Sequence, residues 1–242
     1  MPEKRTPAEL QPERIVMTVE LLVERIDSRL PGRHLLQVAT MVRTAAADAV
    51  TGVKDIQQPN RTIRVVSGVL IGLIAAVVGK AFFHLRFTQA TGWEMLEGID
   101  AGVSTVVYLG LVILFLVTLG TRMKRRRTLR ALQELRALAH VIDMHQLSKD
   151  PEQSLHAGHA TADSPDKQLP PHLLSRYLDY CADLLALLGK VAALYAQNTQ
   201  DGIVLQAVEE VENLTATLST KVWQKIMIID QVTEIRAAGH RE

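Results

Sequence analysis

The chain has 242 residues, 48% hydrophobic, 22% charged and 4% aromatic, with a formal net charge of +1. The charged share is too high for a polytopic transporter and the apolar share too high for a disordered chain. Near-neutrality argues against a general nucleic-acid binder. A single cysteine excludes an intramolecular disulfide framework and any CxxC-based zinc or redox site.

Residues 1–11 read as a tail, after which Pro12 suits the first turn of a helix. Ile15, Val19, Leu22, Ile26 and Leu30 recur at steps of four and three, one apolar stripe that Pro31-Gly32 ends. A second helix is predicted over 33–56, with a small-residue face of Ala39, Ala46, Ala49 and Val53. Residues 57–60 (QQPN) break it, closing a first region, 1–60, of N-terminal helices expected in the cytoplasm.

Two apolar stretches follow. Residues 65–79 carry no charge, and with Lys80 as an end residue the stretch continues through 83; residues 101–121 carry none at all. A helix needs about 20 residues to cross a hydrocarbon core of about 30 Å. Both stretches are read as spans, about 65–83 and 101–121, forming a transmembrane hairpin over 61–122. Lys80 is expected to snorkel to the headgroups; an intramembrane pairing with Glu97 or Asp100 is the sharper alternative. Lys54, Arg61 and Arg64 precede the first span, and Arg122, Lys124, Arg125, Arg126, Arg127 and Arg130 follow the second. The connecting segment has Arg86 against Glu94, Glu97 and Asp100. The positive-inside rule then puts both termini in the cytoplasm. No apolar h-region occurs in the first 60 residues, so the first span is expected to act as its own insertion signal. Without a eukaryotic targeting motif, a bacterial inner membrane is the expected host. Gly68, Gly72 and Ala76, with Gly79 on a second face, have the spacing that lets helix backbones approach closely. They suit packing within the hairpin or between subunits.

Beyond the second span no Pro or Gly interrupts 121–147, so the chain should stay helical through a juxtamembrane helix over 123–147. Leu132, Leu135, Leu138, Ala139 and Ile142 form its stripe. Residues 148–171, polar and broken by prolines, read as a flexible linker. Two long amphipathic helices, about 172–200 and 203–238, are predicted around a turn at Asp201-Gly202, making 172–242 a helical hairpin. Thr215 and Lys225 fall at core-type positions of the second helix. They suit an intramolecular bundle, or would set register in an oligomeric coiled coil. The expected fold class is therefore all-α: a two-helix transmembrane hairpin with a cytoplasmic bundle of long amphipathic helices.

Few residues suggest chemistry. His140 and Asp143 share a helical face, the spacing metal ligands need, but His145 points away from them. His156 and His159 lie in the linker, where ligands would not be preorganised. Cys181 falls on an apolar stripe, which suits a buried inert thiol. No Walker loop, GxGxxG, GxSxG or HExxH motif occurs. The basic collar of Arg122, Lys124, Arg125, Arg126 and Arg127 suits anionic lipid. No catalytic, metal or cofactor site is expected, and the chain is not read as an enzyme.

The segments HVIDMHQLSKDP (140–151), SRYLDYCADLLALLGKVAALYAQ (175–197) and LSTKVWQKI (218–226) resemble a family of bacterial two-span membrane proteins. The resemblance implies a bacterial inner-membrane protein and transfers no activity or site. The expected function is a membrane-anchored helical scaffold or interaction protein. Its partners would be membrane lipids, further copies of itself or another protein, and not nucleic acid. Leu188, Val211, Leu218, Val222 and Ile229 are the candidate interaction face. The alternative is an oligomeric channel or transport subunit.

Overall fold

The computed structural model describes residues 10–31, 34–57, 65–66, 68–73, 75–76, 79–80, 92–147, 169–197 and 199–239, with backbone only at 55–57, 92–101, 105 and 235–239. It is all-helical, with no strand among the described residues. Five helices are delimited: α1 (Pro12–Arg29), α2 (His34–Gln57), α3 (Gly92–Leu147), α4 (Pro171–Ala196) and α5 (Gly202–Gly239). Every described residue between 65 and 80 also has helical backbone. Residues 1–9 of the predicted tail, 148–168 of the predicted linker, the segment joining the spans up to residue 91, and His156 and His159 lie outside the described residues.

The helix ends follow local chemistry. α1 opens with Pro12 in its first turn, where a missing N–H costs nothing, and closes with the Leu30 N–H donating to the Ile26 carbonyl at 2.8 Å. α4 likewise begins at Pro171, the Leu173 N–H donating to the Pro170 carbonyl at 2.9 Å. Asp201 caps α5: its Oδ1 accepts the Ile203 N–H at 3.1 Å and its carbonyl the Leu205 N–H at 3.0 Å. α3 is one helix of 56 residues, merging the predicted second span, the juxtamembrane helix and part of the expected loop. With no proline between 92 and 147, nothing in the sequence stops the hydrogen-bond ladder.

The chain divides into two compact units, one made of residues 56–127 and the other of 1–55 together with 128–242. In the second, pairs of facing residues give the helix directions. Lys54 of α2 meets Glu13 of α1 at 3.5 Å. Arg136 of α3 meets Glu210 of α5 at 3.3 Å, and Lys225 of α5 meets Gln146 of α3 at 3.1 Å. Tyr195 of α4 lies against Gly52 of α2, and Gly189 of α4 against Thr215 of α5. α1, α3 and α5 therefore run one way, and α2 and α4 the other.

α4 is the core. Leu174, Leu178, Leu184, Leu185, Leu188 and Val191 are buried, together with eight further residues spread around its circumference. One stripe, His172, Arg176, Asp183, Ala186 and Lys190, stays exposed; the rest of the helix is covered by neighbours that each supply one stripe. α1 gives Ile15, Val19, Leu22 and Ile26; α2 gives Val42, Ala46, Ala49 and Val53. α3 gives Leu132, Leu135, Ala139 and Ile142, and α5 gives Val208, Val211, Leu218, Val222 and Ile229.

Candidate functional site

In the first unit, α3 runs for several turns with its apolar side chains in the open. Val103, Tyr108, Leu111, Leu114, Phe115 and Val117 are all exposed, Phe115 by 64%. Among the described residues α3 is the one helix long and apolar enough to cross a membrane, and none of its most apolar window is buried. A helix of a soluble core with this composition would be covered. Val65, Val66, Val69, Ile71 and Leu73 of the predicted first span are exposed as well, with Leu70 half-buried.

The glycines of that span face open space: nothing lies within 4 Å of where a Cβ would stand on Gly68, Gly72 or Gly79, and Ala76 is exposed. Lys80 is exposed, and the side chains of Glu97 and Asp100 are outside the described set.

The basic collar divides into two kinds of residue. Arg122, Arg126, Arg127 and Arg130 are exposed, whereas Lys124 and Arg125 are half-buried and engaged in interactions of their own. The next residue, Thr128, is buried, and with it begins the α3 stripe that continues through Leu132 and Leu135.

A second constellation lies inside the bundle, where α3 ends. The Lys225 Nζ donates to the Gln146 carbonyl at 3.1 Å, capping one of the last carbonyls of α3. Gln146 is itself only 2% exposed, and its side chain lies beside the Cys181 thiol. Burial pushes the Cys181 pKa up to about 12, against the opposing pull of the Tyr177 hydroxyl, the Lys225 ammonium and the Gln146 amide. Gln146 Nε2 nonetheless completes no hydrogen bond, and neither does the buried Tyr180 hydroxyl. At the same end the imidazoles of His34 and His145 stack with centroids 6.0 Å apart, joining the start of α2 to the end of α3. A thiol with so high a pKa is held protonated and is a poor nucleophile. The layer holds helices together and offers no poised reactive group.

Of the two residues at metal-ligand spacing on α3, His140 is exposed and Asp143 half-buried, with no hydrogen bond or ion pair between them. Among the described residues no three His, Cys, Asp or Glu gather in a metal-binding group. Leu188, Val211, Leu218, Val222 and Ile229, predicted as an interaction face, are all buried in the chain's own core between α4 and α5. Thr215 and Lys225 are likewise occupied within the chain, by Gly189 and Gln146. The reason is the register of the α4–α5 hairpin, which turns both apolar stripes toward each other.

Sequence reasoning missed Gln146 as the partner of Lys225 and Cys181. The available signal was its place four residues after Ile142, in step with the stripe. It also missed the Gly189–Thr215 contact, where a Cβ on Gly189 would stand 2.9 Å from the Thr215 hydroxyl. No family model, curated protein or solved structure matches the chain.

Proposed function

We propose that the chain is a membrane-anchored helical scaffold of the bacterial inner membrane, held by a two-span hairpin with both termini in the cytoplasm and acting through contacts with other proteins. One observation carries the topology. Residues 1–55 and 128–242 build a single compact unit, with Gly52 against Tyr195 and Arg25 beside Asp183. Parts that pack into one core must lie on the same side of a bilayer. The intervening 56–127 must then cross it an even number of times, and two crossings match the two apolar stretches. The exposed apolar surface of α3 supports embedding, because so much uncovered hydrocarbon is stable only in lipid.

The scaffold role follows from where the chemistry is spent. The polar groups of the bundle bind its helices to one another, while Trp223, exposed by 57%, and Met227 remain outside as contact area. The test has two arms on the full chain in bacterial cells. Carbonate washing should leave the protein in the membrane fraction, with reporter fusions at both ends reading the cytoplasm and one placed near residue 90 reading the far side. In-cell cross-linking from position 223 should trap a defined protein species, either a second copy or a partner. Release by carbonate, or opposite locations for the two ends, overturns the topology. A protein that stays monomeric in mild detergent and traps nothing overturns the scaffold role.

A further inference from the structure

We propose that Arg122, Arg126 and Arg130 form a binding face on α3 for the phosphate headgroups of anionic lipids, an inference that rests on the membrane-spanning reading. The spacing i, i+4, i+8 places the three residues within about 80° around the helix and about 12 Å along it. All three are exposed, and none is in a salt bridge among the described residues. The stripe from Thr128 through Leu132, Leu135 and Ala139 that packs into the bundle lies roughly 150° away around the same helix. The bundle's own packing therefore leaves the arginine face uncovered.

Two further points select a headgroup as the occupant. Arg122 immediately follows the uncharged stretch that ends at Thr121, where a hydrocarbon core gives way to phosphate. Side chains of an α-helix tilt toward its N-terminus, and the apolar stretch is N-terminal to all three arginines. Their guanidinium groups are thus directed back toward the bilayer, and the tilt lets Arg130 reach a layer its Cα has already left. A guanidinium grips a phosphate through two parallel N–H donors, whereas an ammonium acts as a point charge. Lys54, at the end of α2, is engaged with Glu13. Lys124 and Arg125 already have other interactions, and the exposed Arg127 stands roughly 100° around the helix from the middle of the three-residue face.

The full chain, purified in mild detergent and given equimolar phosphatidylglycerol and phosphatidylcholine, should retain the anionic lipid in native mass spectra by at least about fivefold. R122Q/R126Q/R130Q should lose that preference, and the corresponding triple lysine variant should keep only part of it. R14Q/R29Q/R43Q, which removes the same charge from exposed positions on α1 and α2, should keep it all. Circular dichroism and thermal unfolding of each variant establish that it is folded. Equal retention of the two lipids by the natural chain overturns the proposal, as does an unchanged preference in the glutamine variant or loss of preference in the α1–α2 control. Displacement of the lipid by a short RNA at matched charge would assign the face to nucleic acid and overturn it too. Carbonate washing separates the two readings: a protein that washes off refutes the spanning reading, while a retained protein without lipid preference refutes this proposal alone.

Discussion

Cys181 occupies a position where burial and three neighbouring side chains, Tyr177, Lys225 and Gln146, decide its reactivity. With burial raising its pKa to about 12, it is a neutral thiol at any physiological pH. In the folded protein at pH 8 it should resist a maleimide for hours, and denaturant should release complete labelling within minutes, as read by mass spectrometry. The Gly189–Thr215 contact predicts a different kind of sensitivity. Gly189→Ala should destabilise the bundle by about 1–3 kcal/mol, because the new methyl group would overlap the Thr215 hydroxyl. Gly189→Ala with Thr215→Ala removes that overlap and keeps the helix-favouring alanine, so much of the lost melting temperature should return. Composition marks Cys181 as buried, since it sits on an apolar stripe. The need for glycine at 189 cannot be read from α4 alone, because it is set by a residue 26 positions further along the chain.

At the scale of elements, helix ends and helix faces were largely legible. Pro12, Pro31-Gly32, Pro171 and Asp201-Gly202 each mark a boundary through what the backbone can or cannot do. The stripes of α1, α3 and α5 are buried as their periodicity predicts, with Leu138 half-exposed at the margin. The start of α3 was not legible at 92, because the polar residues before the apolar stretch resemble a loop and nothing local forbids either state. Pairing between helices was also hidden. Lys225 and Gln146 meet across 79 residues, and no short-range pattern encodes such a meeting. Their contact predicts that Lys225→Met, which keeps the stem but removes the donor, leaves the Gln146 carbonyl unsatisfied and costs about 1–2 kcal/mol. Hydrogen exchange should show the last turn of α3 opening faster while the amides of α1 are unaffected.

At the scale of the whole molecule, stability should respond to acid in an unusual direction. Burial raises the Asp179 carboxyl above its ordinary 3.8, Arg176 opposes it, and Asp183 and Asp230 raise it further. Burial raises Asp183 as well, against Arg25 and Lys190. A carboxyl whose folded pKa is raised binds its proton more tightly in the folded state. Its contribution is therefore most favourable below the unfolded value and becomes a penalty as pH rises through the folded one. Asp179→Asn should raise the melting temperature at pH 7, and the gain over the natural chain should shrink as pH falls toward 3.8. The same global packing gives a severe counterpart. Leu188→Asp or Val222→Asp places a carboxylate in the fully buried contact between α4 and α5, and either should abolish cooperative unfolding. That the chain is all-helical, with one helix apolar enough to cross a membrane among the described residues, was legible from periodicity and hydropathy. What hydropathy alone could not supply is that α4 is covered everywhere except along one exposed stripe, and so closes a core begun about 160 residues earlier.

That enclosure sets a schedule for biosynthesis. α1 and α2 leave the ribosome long before α4 exists, and their stripes have no permanent cover until Ala196 has been made. At about 5–20 residues per second, the interval from the end of α2 to the end of α4 lasts roughly 7 to 28 seconds. On the proposed two-span topology, the two sticky helices must wait throughout it while residues 56–127 are threaded into the bilayer. Failed insertion would strand the early helices without their partner, so a misplaced chain would expose an unfinished core to the cell's proteases. On that topology, correct membrane integration becomes a condition for the chain's survival as well as for its anchoring.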